Sequence, residues 1–185
     1  MFKVMAYGYT LLCFSGGLPE YYDEYRNKAK LVDEIDLGNV EGELCFLGVQ
    51  KDTHWPFLVV ALKHWPSGLG FYPAALLIPE TNLLLIGAGE RLLAYRLDTP
   101  ERVWEDSAEM GFLGWERHGE HVIMSAELGI AVWGLYGKKL WSQWVEPPWG
   151  YSIEHDSMHL EVMGKQFTFP LQQGPDERLW WFDGR

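Results

Sequence analysis

At 185 residues the chain suffices for one domain with a sizeable core and excludes two large ones. Its formal charge of −11 excludes a dominant basic face for nucleic acid or anionic lipid, both of which recruit cations. An apolar share of 48% excludes long disorder, and ten Trp, nine Tyr and nine Phe favour strands and broad packing faces.

Residues 2–14 read as a first apolar strand, broken at Ser15-Gly16-Gly17-Leu18-Pro19. The same stretch is a poor leader peptide: Tyr7 to Thr10 interrupt it and no small-x-small cleavage site follows. No run approaches the roughly 18 apolar residues of a membrane helix. Cys13 and Cys45 each sit in an apolar run and read as small buried hydrophobes, with a single bridge between them left open. A reducing, cytoplasmic setting is the expectation.

Glu20 to Ala29 carries Tyr21, Tyr22 and Tyr25 at helical spacing and predicts the one short helix. Lys30–Leu37 reads as an edge strand. Leu44–Val49 and Phe57–Leu62 read as strands around a 51–56 loop. Between 74 and 104 four short strands are joined by turns of a few residues, which forces antiparallel pairing because a parallel crossover needs a dozen or more. The same layout returns from Gly111 to Val145. A further unit opens near Tyr151 and runs to Leu171. The tail segment Leu179-Trp180-Trp181-Phe182 is too apolar to leave in water and is expected to dock.

The two layouts are a repeat. Leu84-Leu85-Ile86-Gly87-Ala88 and Leu92-Leu93-Ala94-Tyr95 return 38 positions later as Val122-Ile123-Met124-Ser125-Ala126 and Ile130-Ala131-Val132-Trp133. Arg102-Val103-Trp104 returns 37 later as Lys139-Leu140-Trp141, and a third copy begins at Met158, 36 after Val122. A period in this range marks a repeated supersecondary unit. Tyr95 and Trp133, and Trp104 and Trp141, should therefore hold equivalent places. The fold class follows: an all-β antiparallel meander of blade-like four-stranded units, repeating over about 70–171 within a single domain 1–185, with at most one short helix.

The stretch Gly87 to Trp104 resembles the blade repeat of quinoprotein-like β-propellers: apolar strand, Ala-x-aromatic or Leu, Asp, a Thr-Gly turn, then Trp. Val132 to Trp141 resembles it again and keeps the turn glycine as Gly137. Gly134 stands where the repeat has Asp, and Pro100-Glu101 replaces the Thr-Gly step. Ser125-Ala126-Glu127-Leu128 and Trp144 to Trp149 are also similar to segments of a small bacterial family of uncharacterised proteins, which brings no activity with it. The propeller resemblance covers residues 83–162 and implies a scaffold rather than a chemistry. A ring of six to eight blades exceeds the length, leaving a small or partial propeller, an open stack, or a twisted β-sandwich.

Catalytic chemistry finds no motif. His118-Gly119-Glu120-His121 is one residue short of zincin spacing and lies off any helix, and with His155 to His159 it falls at the equivalent hairpin turn of successive units. No nucleophile elbow, phosphate loop or Cys-x-x-Cys is present, and Gly87-Ala88-Gly89 lacks the helix a dinucleotide site needs. The acids Glu105, Asp106 and Glu109 read as a loop cluster. No catalytic residue, metal or cofactor is expected. The informative stretch is Glu146-Pro147-Pro148, ringed by Trp141, Trp144, Trp149 and Tyr151. Proline cannot donate to a central ladder, so this is a loop or edge. Trp149 then stands either partly exposed over a rigid backbone or folded back as an anchor.

Two functions follow. The first is a non-catalytic module binding another protein through Glu146, Trp149, Tyr151 and Trp115, its partner basic, as an inhibitor or immunity-type protein would meet. The second is a small enzyme or ligand-binding protein with Glu116, Arg117 and Glu127 lining a pocket between units. Neither needs nucleic acid or membrane, and self-association is left open.

Overall fold

The computed structural model describes residues 2–38, 41–65 and 72–176. It is organised around two central sheets whose middle strands are buried on both faces. The second sheet is the meander β6 (Ala74–Ile78), β7 (Leu83–Ala88), β8 (Arg91–Arg96) and β9 (Glu101–Ser107). The third is β10 (Phe112–His118), β11 (His121–Ala126), β12 (Gly129–Gly134) and β13 (Lys139–Trp144). Successive side chains of a strand point to opposite faces. Leu84, Ile86, Leu93 and Tyr95 thus pack against the first sheet, while Leu83, Leu85, Leu92 and Ala94 pack against the third. On the third sheet Val122, Met124 and Trp133 face the second, and Ile123, Ile130 and Val132 face the fourth. Burial on both sides is why these strands read as unbroken apolar runs.

The flanking sheets end the stack differently. The first contains β1 (Phe2–Ala6), β2 (Tyr9–Ser15), β3 (Leu31–Ile35), β4 (Glu43–Gln50) and β5 (Leu58–His64), in the order β1-β2-β4-β5-β3. Helix α1 (Tyr22–Lys28) lays Tyr22 and Tyr25 over its outer face, against Leu12, Phe46, Val59 and Ala61. The fourth contains β14 (Trp149–Glu154), β15 (Ser157–Val162) and β16 (Lys165–Pro170). Met158, Leu160 and Val162 pack inward on the third sheet. Alternation turns Ser157, His159 and Glu161 outward, so this sheet presents a polar face. Among the described residues each hydrophobic cluster joins neighbouring sheets or sheet and helix, and none joins the first sheet to the fourth.

The repeat is geometrically real. Ala94 pairs with Trp104 and Tyr95 with Arg102; Val132 pairs with Trp141 and Trp133 with Lys139. The register shift falls at the same place in both sheets, between Ala94/Tyr95 and between Val132/Trp133. The series extends to the fourth sheet, where Met158 pairs with Phe169 as Val122 does with Trp133 and Leu84 with Tyr95. Tyr95, Trp133 and Phe169 are therefore one position in three copies. Each of the last two is covered by the Trp of the sheet before it: Trp104 stacks on Trp133 at 5.7 Å between centroids, and Trp141 meets Phe169 edge-on at 5.5 Å. A glycine in the left-handed region recurs with them. A Cβ on Gly137 (φ 78) would come 3.0 Å from Trp104 Nε1, and one on Gly174 (φ 72) 2.5 Å from the Trp141 ring. Only glycine meets both demands.

Several expectations need correction. Residues 2–14 are two strands, because Tyr7 and Gly8 both take positive φ (50 and 80) and form the tight turn of a hairpin. The edge strand β3 runs parallel to β5. Glu105 and Asp106 lie on β9 rather than in a loop, and ion pairs tie them to Arg91, Arg102 and Lys139. The last unit, opening near Tyr151, has three strands among the described residues, as its sequence layout predicts. The segment Leu179 to Phe182 lies outside the described residues. Cys13 and Cys45 are free thiols, and burial pushes Cys45 up to about 12, which suppresses its thiolate. No described helix is long and apolar enough to cross a membrane.

Candidate interaction site

The singled-out residues divide by strand alternation. On β10, Trp115 and Arg117 point to the second sheet while Glu116 points to the fourth. Trp115 packs tilted on Phe112 at 5.4 Å and edge-on to Trp133 at 5.5 Å, inside the core shared with the second sheet. Arg117 reaches the turn before β7 and grips Glu80 with both terminal nitrogens, at 2.8 and 3.0 Å. That pairing holds the Glu80 carboxyl below its ordinary value. Neither residue belongs to the surface that Trp149 helps to form. Register makes Trp115 and Tyr151 equivalent, opposite Met124 and Leu160 respectively, yet they serve successive seams.

The seam between third and fourth sheets gathers the rest. Trp149 opens the edge strand β14, directly after the cis Pro147–Pro148 bond. It is half-buried, as Trp104 and Trp141 are, and Trp133 alone of these four is buried outright. Its indole donates to the Glu127 main-chain oxygen at 2.9 Å and stacks on Tyr151 at 6.3 Å. Tyr151 in turn donates its hydroxyl to Glu116 Oε2 at 2.6 Å. Burial first, then this carboxylate, raises the Tyr151 pKa well above the usual phenol value. The two rings are thus clamped at both ends, and Trp149 is an anchored aromatic rather than a free one. Glu146 is half-buried beside it, in the connection from β13 to β14.

The histidines of the turn segments also serve the seam. His118 Nε2 donates to the His155 oxygen at 2.7 Å, and His121 Nε2 lies 3.1 Å from Gln172 Oε1. Both segments are the two-residue hairpin turns, Gly119-Glu120 and His155-Asp156, closing β10–β11 and β14–β15. Among the described residues no three His, Cys, Asp or Glu side chains gather in a metal-binding arrangement.

The ion pairs of Lys and Arg use Asp33, Glu34, Asp36, Glu80, Glu101, Glu105 and Asp106. Among the described residues Glu116, Glu127, Glu146 and Glu161 meet no Lys or Arg. Two cations of the third sheet are spent on the second: Arg117 on Glu80 and Lys139 on Asp106. The carboxylates beside Trp149 and Tyr151 consequently have no cation of the third sheet as partner. Alternation explains why Glu116 and Arg117, adjacent in sequence, face different seams, so that Arg117 does not join Glu116 and Glu127. The pairing of Arg117 with Glu80, 37 residues away, has no local signal. Compared with known proteins, the chain matches no family model and no curated protein.

Proposed function

We propose that this chain is a non-catalytic protein-binding module whose partner presents a basic surface to the seam of the third and fourth sheets. The repeat serves as scaffold, in keeping with its resemblance to propeller blades. The observation that carries the reading is the set of carboxylates without a Lys or Arg partner, Glu116, Glu127 and Glu146, around a rigid aromatic pair, with Glu161 on the adjoining outer face of the fourth sheet. Complementary charge of this kind steers encounter and suppresses wrong partners. Clamped aromatics lose little entropy when covered. The polar outward face of the fourth sheet extends the same surface.

The test uses the intact chain and a triple reversal, Glu127→Lys with Glu146→Lys and Glu161→Lys, as parallel baits in a lysate of the source cell. Cross-linking at low salt and mass spectrometry identify what each retains. The expected result is a basic protein held by the parent chain, released as ionic strength rises, and reduced at least about tenfold with the reversal. If no protein distinguishes the two baits, the proposal fails.

A further inference from the structure

The seam between the first and second sheets carries a cleft at each end, of opposite character. Where β5 finishes and β8 begins, five acids, Asp36, Glu41, Glu90, Glu105 and Asp106, line a cleft with Lys63 and with Arg91, which is already held by Asp36 and Glu105. At the other end, three lysines from three separate segments converge: Lys28 from the last turn of α1, Lys30 from its link to β3, and Lys51 from the loop after β4. With Tyr9, Trp55, Phe57 and Pro100 they line a cleft of about 460 Å³.

These cations are left unpaired in a chain of 26 acids and 15 Lys and Arg. Arg26, Arg91, Arg96, Arg102, Arg117 and Lys139 each meet a carboxylate within 4 Å. Lys28, Lys30 and Lys51 meet none among the described residues. Lys28 instead lies over the Trp55 ring, 3.3 Å from its centroid, and Lys51 lies 5.0 Å from that of Tyr9. Two acids, Asp52 and Asp98, also line the cleft, and the Asp98 carboxylate accepts from the Thr99 amide at 2.8 Å and its hydroxyl at 3.3 Å.

The walls are preformed. The Gln50 side-chain amide donates to His54 O, and Thr53 Oγ1 donates to Trp55 O at 2.8 Å, which fixes the 51–56 loop. Phe57 is tied by its own amide to Val49 O and by its oxygen to the amides of Lys30 and Leu31. Tyr9 donates to Asn82 Oδ1 at 2.9 Å, and its ring lies 6.2 Å from that of Phe57. An occupant therefore finds a wall of fixed backbone bearing Phe57 beside three lysines, and spends little free energy on ordering that wall.

We propose that this cleft binds a small aromatic anion, its ring against Phe57 and its charged group among Lys28, Lys30 and Lys51. The volume suits a single small molecule. A nucleic-acid strand is disfavoured, because the rest of the acidic surface repels a polyanion.

Calorimetric titration of the full chain with phenyl phosphate and with benzoate tests this, inorganic phosphate and phenol serving as the ring-free and charge-free comparisons. At least one of the two aromatic anions is expected to bind saturably, and more tightly than inorganic phosphate or phenol. The pair of anions shows whether phosphate or carboxylate is preferred. Lys30→Gln with Lys51→Gln should weaken that binding about tenfold or more, since each removes a charge-assisted hydrogen bond. Lys3→Gln with Lys138→Gln changes the net charge equally at exposed sites elsewhere and should leave it intact. Thermal melts confirm that both variants fold. Absence of saturable binding by both aromatic anions overturns the proposal. So does an equal affinity for inorganic phosphate or phenol, and so does an equal loss in the two double variants.

Discussion

The seam between the second and third sheets and the seam between the third and fourth are built from the same repeat positions, but they treat their polar atoms differently. In the former, Trp104 stacks on Trp133, and the indole nitrogens of Trp104 and Trp115 are buried without a partner among the described residues. In the latter, Trp141 covers Phe169 and donates to Leu171 O at 2.6 Å, while Trp149 donates to Glu127 O. The rims are inverted as well: Arg117–Glu80 and Lys139–Asp106 tie the first of these seams, and no Lys or Arg ties the second among the described residues. Shape, then, selects the aromatic positions, because a ring contact is kept at the same place, stacked in one seam and edge-on in the other, whether or not the N–H is satisfied. Hydrogen bonds and ion pairs are added where the local backbone and charge allow them.

The largest effect should come from the shared element. Trp133→Ala empties a site that is 1% exposed and removes partners of both Trp104 and Trp115. A loss of about 3–5 kcal/mol is expected in denaturant unfolding. A loss below about 1 kcal/mol would mean that the ring stack is not what holds these sheets together.

A sharper comparison comes from replacing the equivalent tryptophans by phenylalanine. Trp141→Phe gives up a satisfied indole hydrogen bond and leaves Leu171 O without that donor. Trp104→Phe instead removes a buried N–H that has no partner. Trp141→Phe should therefore cost more, by about 1–2 kcal/mol, although the two rings hold one place in the repeat. Equal costs would show that ring area alone decides.

The smallest effect concerns the rim. Arg117 holds Glu80 below its ordinary value of 4.5, so the pair contributes fully above that pH and its contribution is lost as pH falls through the lower, folded value. Thermal melts across this range should show a slightly flatter acid limb for Glu80→Gln. The difference should shrink in high salt, because the pair is exposed. An unchanged limb would remove Arg117–Glu80 from the account of the seam.

The repeat was legible because each aromatic sits at a fixed offset from an apolar strand, and the register shift beside Tyr95 and Trp133 preserves that offset. The first sheet was less legible. Tyr7 takes a left-handed conformation that tyrosine seldom adopts, which hid the hairpin, and the β3–β5 pairing depends on α1 covering the sheet. In the candidate site, the equivalence of Trp115 and Tyr151 followed from the period. Their assignment to different seams followed only from which face of each strand is buried. Adjacent Glu116 and Arg117 looked like one cluster, whereas strand alternation sends them apart. The lysine cleft left no trace along the chain, since Lys28, Lys30 and Lys51 form no run and meet only where three segments converge.

The polar outer face of the fourth sheet has a consequence for how the molecule comes apart. Among the described residues each interior sheet is held from two sides, whereas the fourth is held from one. Stability in such an array is approximately a sum over nearest-neighbour interfaces, so opening the end member forfeits a single interface. The amides of β14–β16 should thus exchange with solvent through a local fraying that leaves β7, β8, β11 and β12 protected. Lying on the least-protected sheet, Trp149 and Tyr151 would be pinned when a partner covers the seam, and slowed exchange across β14–β16 would then register occupancy before any change in the global melting temperature.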